Sequence, residues 1–233
     1  MGRTPLAAVA VAGLVAGWTS VAASGTAQAD PEALNPNAFD LSALDRAVAP
    51  MHHALELAVA GGYTQGVGGA GDMGAVQDVS GPGGNVEVQL GVRMSPTFSL
   101  GVYGTLARYQ HGDALTDGNQ AHGATAGVQA LWHARPDRSV DPWISIGTGW
   151  RGLWLTSPNV PSSTAYGLEL ARAQLGLDFR VSPGFALAPV VGASASVFLA
   201  EDTAMTTELT AIHDNRLNLY VFTGLLGRFD LGR

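Results

Sequence analysis

"VEVQLGVRMSPTFSLGVYGTL", residues 86–106, changes character at every second position. Apolar side chains stand at Val86, Val88, Leu90, Val92 and Met94, and again at Phe98, Leu100, Val102 and Leu106. Glu87, Gln89, Arg93, Ser99, Tyr103 and Thr105 fill the places between. A period of two is that of a β-strand with different surroundings on its two faces. Ser95-Pro96-Thr97 breaks the run as a tight turn would, so the stretch reads as a hairpin. In a water-soluble sheet the apolar row covers a core and the polar row is wet. In a membrane-spanning β-barrel the rows are reversed, apolar toward lipid and polar toward the axis. The rest of the chain favours the reversed arrangement.

Only 13% of the 233 residues are charged, about half the usual share, while glycine reaches 31 and hydrophobic residues 46%. A chain this poor in charge is expected to have much of its surface against lipid. All twelve basic residues are arginine, and the formal net charge is −7. A negative balance without a basic stripe argues against nucleic-acid binding. There is no cysteine, which excludes disulfide and thiol chemistry. Residues 1–29 read as a secretory signal: Arg3 at the start, an apolar stretch over 6–15, and Ala27-Gln28-Ala29 as a small-residue cleavage site before Asp30. Residues 30–53 form a lead-in segment, in which 39–51 suits a short amphipathic helix, and residues 54–233 form one barrel.

Eight strands are expected, over residues 54–63, 85–94, 98–109, 122–133, 143–155, 166–181, 185–199 and 217–229. Most have the length of about 9–11 residues that a tilted strand needs to cross hydrocarbon, or slightly more. Short turns at 95–97, 134–142 and 182–184 alternate with longer Gly-, Asp-, Asn-, Ser- and Thr-rich loops at 64–84, 110–121, 156–165 and 200–216. Short connections at one end and long ones at the other predict an all-β, eight-stranded, antiparallel up-and-down transmembrane barrel. Residues 181–200 carry no charge and invite a spanning helix. Pro183, Gly184, Pro189, Gly192 and the serines make a strand the better reading.

The rows sort consistently. Leu55, Leu57 and Val59 point outward, as do Ala124, Ala126, Val128, Ala130 and Trp132, and Leu175, Leu177 and Phe179. Leu219, Val221, Leu225 and Phe229 share a face of the last strand, with Tyr220 and Phe222 on the other. Glu56, Glu87, Arg93, Arg172, Asp178 and Arg228 fall on inner rows, and Arg108 on an outer row at the loop end. Charges inside a narrow barrel must be paired, because isolated ones cost several kcal/mol each. The expected pairing is an Arg93–Glu56–Arg228 cluster plugging the turn end, with Asp178 and Arg180 at the same level. Gly91, Gly101, Gly127, Gly147, Gly149, Gly176 and Gly192 are expected to relieve crowding. Phe98, Trp132, Phe179, Phe185 and Phe229 at the turn end, with Tyr63, Trp150, Trp154 and Tyr166 at the loop end, form two interfacial girdles.

This pattern, together with the closing "LYVFTGLLGRFDLGR", resembles the small eight-stranded outer-membrane barrels of Gram-negative bacteria: the OmpA membrane domain, OmpX and OmpW. The resemblance covers residues 54–229. It implies an outer-membrane location, contact with membrane lipids and lipopolysaccharide, and a terminal strand read by the barrel-assembly machinery. The family ends at the aromatic residue, whereas here Asp230–Arg233 follow Phe229. Its fold implies a side-chain-filled interior, a structural or surface-presentation role and no cofactor. The alternatives are a narrow channel for small or apolar solutes, a lipid A-modifying enzyme, and a soluble lipocalin-like barrel.

Residues of the types that carry chemistry are few. His111, His122 and His213 share the loop end with Asp113, Asp117 and Asp214, but without zinc-ligand spacing. His122 and the strand residues Ser99, Ser145, Ser194 and Ser196 show no adjacent Ser–His pair. "GGAGDMG" (residues 68–74) lacks the lysine of a phosphate loop. Neither an enzyme nor a metal site is the favoured reading.

Overall fold

The computed structural model describes residues 46–48, 54–68, 80–111, 120–156, 162–203, 210–212 and 216–231. They belong to one of two units into which the chain divides, Leu41–Arg233. The expected signal lies outside them, as do most of the lead-in segment and most of the four long loops. The elements are β1 (Leu55–Gly68), β2 (Ser80–Ser95), β3 (Phe98–His111), β4 (Gln120–His133), β5 (Val140–Thr156), β6 (Ser163–Ser182), β7 (Phe185–Thr203), β8 (Thr210–Ala211) and β9 (Leu217–Leu231). Neighbours in the chain pair antiparallel from β1 to β7; β9 pairs with both β7 and β1 and closes the ring. The two-residue β8 adds to the end of β7. Closure satisfies every edge, which hydrocarbon demands.

All eight expected strands are present, and residues 185–200 are strand rather than helix. Most extend beyond the expected span, mainly at the loop end: β1 runs on to Gly68 and β2 starts at Ser80. Alternation is legible only where the two faces meet different surroundings. The backbone ladder continues past that zone through glycine and serine, which carry no period. At residues 46–48 the expected helix gives way to a bridge, with Ala47 paired to Arg138. Val48 N–H donates to Asp137 O at 2.8 Å and Ser139 N–H to Arg46 O at 2.9 Å, so the turn between β4 and β5 supplies the backbone partners.

The inside-out sorting is complete across the barrel. Leu90, Val92, Leu100, Val102, Val128, Ile146, Leu175, Val191, Leu219, Val221 and Leu225 are each 43–58% exposed, whereas Glu87, Arg93 and Arg172 are 5% exposed or less. A monomer in water rarely shows a contiguous apolar surface beyond a few hundred Å². Here it encircles the molecule. The last strand, ambiguous by pattern, turns Tyr220 and Leu226 inward and Leu219, Val221, Leu225 and Phe229 outward. Arg108 stands exposed on the outer row, 3.5 Å from Gln120 Oε1.

Aromatic rings pair in two bands. Phe98 packs on Trp132 and Phe185 on Phe229 at the turn end; Trp150 packs on Trp154 and Tyr166 at the loop end. Trp143 belongs to neither band, being buried inside.

Most of the inner glycines are required by close approach. A Cβ on Gly176 would overlap the indole of Trp143, and one on Gly192 the ring of Phe222. Gly91 is the exception, because its nearest neighbours would sit at ordinary contact, 3.4 Å and beyond. Trp143 cannot swing aside freely, since its Nε1 donates to Asp178 at 2.7 Å. Gly176→Ala is therefore expected to cost about 1–3 kcal/mol, against roughly 0.5 kcal/mol or less for Gly91→Ala. Urea midpoints of the refolded barrel test the difference; equal midpoints would refute it.

Candidate functional site

Among the described residues, the charged interior gathers the chemistry-bearing side chains. β1, β2, β4, β5, β6 and β9 aim them at the axis because each strand's inner row is fixed by its lipid-facing row.

At the turn end, Arg93 on β2 makes an ion pair with Glu56 on β1; its Nε donates to Glu56 Oε1 at 3.0 Å. Arg93 Nη2 also lies 3.0 Å from His133 Nε2, and His133 Nδ1 lies 2.6 Å from Asp141 Oδ2. A guanidinium only donates, so Nε2 accepts and the ring proton sits on Nδ1, facing Asp141. Arg228 makes no direct bond to Glu56, although the charges of the two act on each other. Its Nε donates to Asp178 Oδ2 at 3.0 Å, and its guanidinium stacks 5.0 Å above Trp143. The β1–β9 register is the reason: Glu56 faces Asp230, and Arg228 faces Ala58, two residues deeper. Arg180, expected at the same level, donates from Nη1 to Asp230 Oδ2 at 3.1 Å. Asp230, in the tail beyond the family's usual end, is thus an interior residue and also lies 3.9 Å from Arg93.

Nearer the loop end a second network forms. Arg172 pairs with Glu87, and Arg151 Nη2 donates to Glu169 Oε1 at 2.7 Å. Arg151 also donates to Ser196 and Ser194, each at 2.9 Å. Tyr103 donates its hydroxyl to Glu169. Three rings receive the two guanidiniums: Tyr220 at 3.8 Å from Arg151, and Tyr103 and Phe222 at 4.3 and 4.9 Å from Arg172. Gln89 and Gln174 carry the network onward, donating to Glu87 at 2.6 and 3.0 Å. Beside these networks packs an apolar cluster of Ala58, Leu131, Trp143, Ala188, Val190 and Leu226.

All six residues singled out from the sequence are buried in this interior, in two networks rather than one. Several partners were not anticipated: Tyr103, His133, Asp141, Arg151, Glu169 and Asp230. Glu169 was hidden by a bulge. Leu170 and Ala171 both face outward at a register shift, so odd positions point inward above it and even positions below. Two consecutive outward residues between Glu169 and Arg172 were the available signal.

Among the described residues no serine is hydrogen-bonded to a histidine; Ser99 and His133 both meet Glu56. Ser145 donates to Gln174, Ser194 and Ser196 accept from Arg151, and His122 lies on the outer row, away from all three. His111, Asp113, Asp117, His213 and Asp214 have no described side chains. His133, Asp141 and Asp178 do approach within metal-chelating distance. Their donor atoms are already taken, Asp178 by Trp143 and Arg228, and Asp141 by His133 and the Arg135 N–H. The interior cavities lined by these residues measure about 30, 10 and 10 Å³. Side chains fill the bore.

Comparison with protein-family models and with curated proteins finds no match for this chain. Solved structures do match. Neisserial surface protein A (NspA) is similar over 76% of this chain and 97% of its own, with 12% identity and a TM-score of 0.50. The fold is that of a small outer-membrane β-barrel. OprG from Pseudomonas aeruginosa aligns over 76% of this chain and 97% of its own at 9% identity, TM-score 0.44. Ail of Yersinia pestis, solved with the heparin analogue sucrose octasulfate, aligns over 77% and 100% at 13% identity, TM-score 0.42. At such identities the likeness concerns the path of the chain. The charge networks belong to this sequence.

Proposed function

We propose that the protein is an integral outer-membrane barrel with a sealed interior, serving as a structural element that presents its four long loops at the cell surface. The apolar exterior between two aromatic bands supports insertion across a bilayer. The observation that carries the sealed reading is an interior filled by two ionic networks and an apolar cluster, with small cavities of about 30, 10 and 10 Å³ among them. Turns at 95–97, 134–139 and 183–184 then face the periplasm. Lipopolysaccharide contacts the loop-end girdle, where Arg108 reaches the headgroup level. The strand Leu217–Leu231 is the segment the assembly machinery reads.

Two measurements test this. The protein is expected to fractionate with outer membranes, to need detergent for release, and to migrate differently on gels before and after heating. In planar bilayers the refolded protein is expected to be silent. Steady single-channel steps would replace the sealed reading with a narrow channel, and release without detergent would remove the membrane assignment altogether.

A further inference from the structure

We infer that residues 46–48 act as a tie: they pair with the turn between β4 and β5, fasten the segment before the barrel to the side of the ring opposite β1, and brace the ionic cluster that plugs the turn end. The turn is suited to accept such a partner. Pro142 has no N–H to donate, and the β4–β5 ladder ends there, with Ala134 N–H donating to Pro142 O at 2.8 Å. Three hydrogen bonds then hold residues 46–48: Val48 N–H to Asp137 O at 2.8 Å, Ser139 N–H to Arg46 O at 2.9 Å, and Arg46 N–H to Ser139 Oγ at 3.2 Å. Ala47 and Arg138 thereby form an antiparallel pair of the closer, non-hydrogen-bonded kind, in which Cα atoms stand about 4.5 Å apart.

The two ends of the tie lie on opposite sides of the ring. Ala54, at the foot of β1, is buried and its carbonyl accepts from Arg93 N–H at 2.9 Å. β1 and β5 are four places apart in the closed ring of eight, the largest separation it allows. Val48 and Ala54 are six residues apart in the chain, yet one is bonded beside β5 and the other opens β1. So short a link keeps the strand's local concentration at the turn high, which favours this chain's own segment over that of a second copy.

The same turn carries part of the plug. Arg135 N–H donates to Asp141 Oδ1 at 2.8 Å, and Asp141 Oδ2 lies 2.6 Å from His133 Nδ1. Ser139 O accepts from Arg180 N–H at 2.8 Å, and Arg180 in turn pairs with Asp230. Arg46 and Ala47 are exposed, and so short a pairing at the rim opens before the barrel ladders do. Its release takes a support from the turn that positions His133 and Asp141. The plug is thereby coupled to whatever binds or pulls on the segment that precedes β1.

The test uses the full-length protein refolded in detergent micelles. The chain has no cysteine, so Ala47→Cys with Arg138→Cys supplies its only thiols. A separation of about 4.5 Å is within a disulfide's reach. Mild oxidation is expected to join the two within one chain, far faster in the folded protein than in urea. No bond, or a bond between two copies, would overturn the inference. Val48→Pro keeps an extended backbone and deletes the N–H given to Asp137. Amide exchange followed by NMR is expected to quicken several-fold at Ser139 and by a smaller factor at Arg135, with Leu90 in β2 unchanged. Unaltered exchange at Ser139 would remove the tie, and a change at Ser139 with none at Arg135 would remove its link to the plug.

Discussion

Arg93→Ala is expected to destabilise the barrel by about 3–5 kcal/mol, a large share of the roughly 5–15 kcal/mol that holds an ordinary domain folded. Arg93 has no exposed surface, and its guanidinium is shared by Glu56, His133 and the carbonyl of Pro96. Removing it strands the Glu56 carboxylate, 3% exposed, without its closest cation. The effect is large because of what is left behind, not because the pair itself is strongly stabilising; desolvation cancels much of the attraction in a buried ion pair. Arg93→Met with Glu56→Leu should therefore recover a good part of the loss, although Asp230 and His133 also lose a neighbour. Urea titration followed by the heat-dependent gel shift measures all three proteins. A single variant within about 1 kcal/mol of the parent, the low end for a lost charged hydrogen bond, would mean that water reaches Glu56 and that the plug is open.

Val128→Arg addresses the outer face. Val128 lies in the middle of β4, 58% exposed, with Ala126 and Ala130 on the same row. Against hydrocarbon at mid-depth an arginine costs about 2–4 kcal/mol, whereas on a wet surface the same change falls within roughly ±0.5 kcal/mol. Thr97→Arg, at the exposed turn between β2 and β3, is the control and should be nearly neutral. Folding into lipid vesicles reads both. A neutral Val128→Arg would show that this face does not meet acyl chains, and the proposed membrane location would fail with it.

How far the interior was legible follows from where information sits in a strand. Residues 86–106 reveal their two faces directly, because each face meets one kind of neighbour for several residues in succession. The same regularity placed Glu56, Glu87, Arg93, Arg172, Asp178 and Arg228 on inner rows. It failed at Glu169, where a bulge of one residue resets the phase. It was silent for Asp230, which follows the last aromatic residue and the last expected strand, 217–229. The glycines show the same division. Gly91 and Gly176 are indistinguishable by pattern, yet only Gly176 has an indole across it.

By itself the sequence determined the number of strands in the closed ring, their order, and, away from the bulge at Leu170–Ala171 and the end of the last strand, which side chains face the axis. All three are local: period, turn chemistry and the cost of charge in lipid act within one hairpin. Apart from Arg93 with Glu56, which charge meets which was decided by the tertiary structure. Partners across a closed barrel are set by the stagger of every strand in the ring, and a shift of two residues, as between Arg228 and Asp230 on β9, exchanges one carboxylate for another.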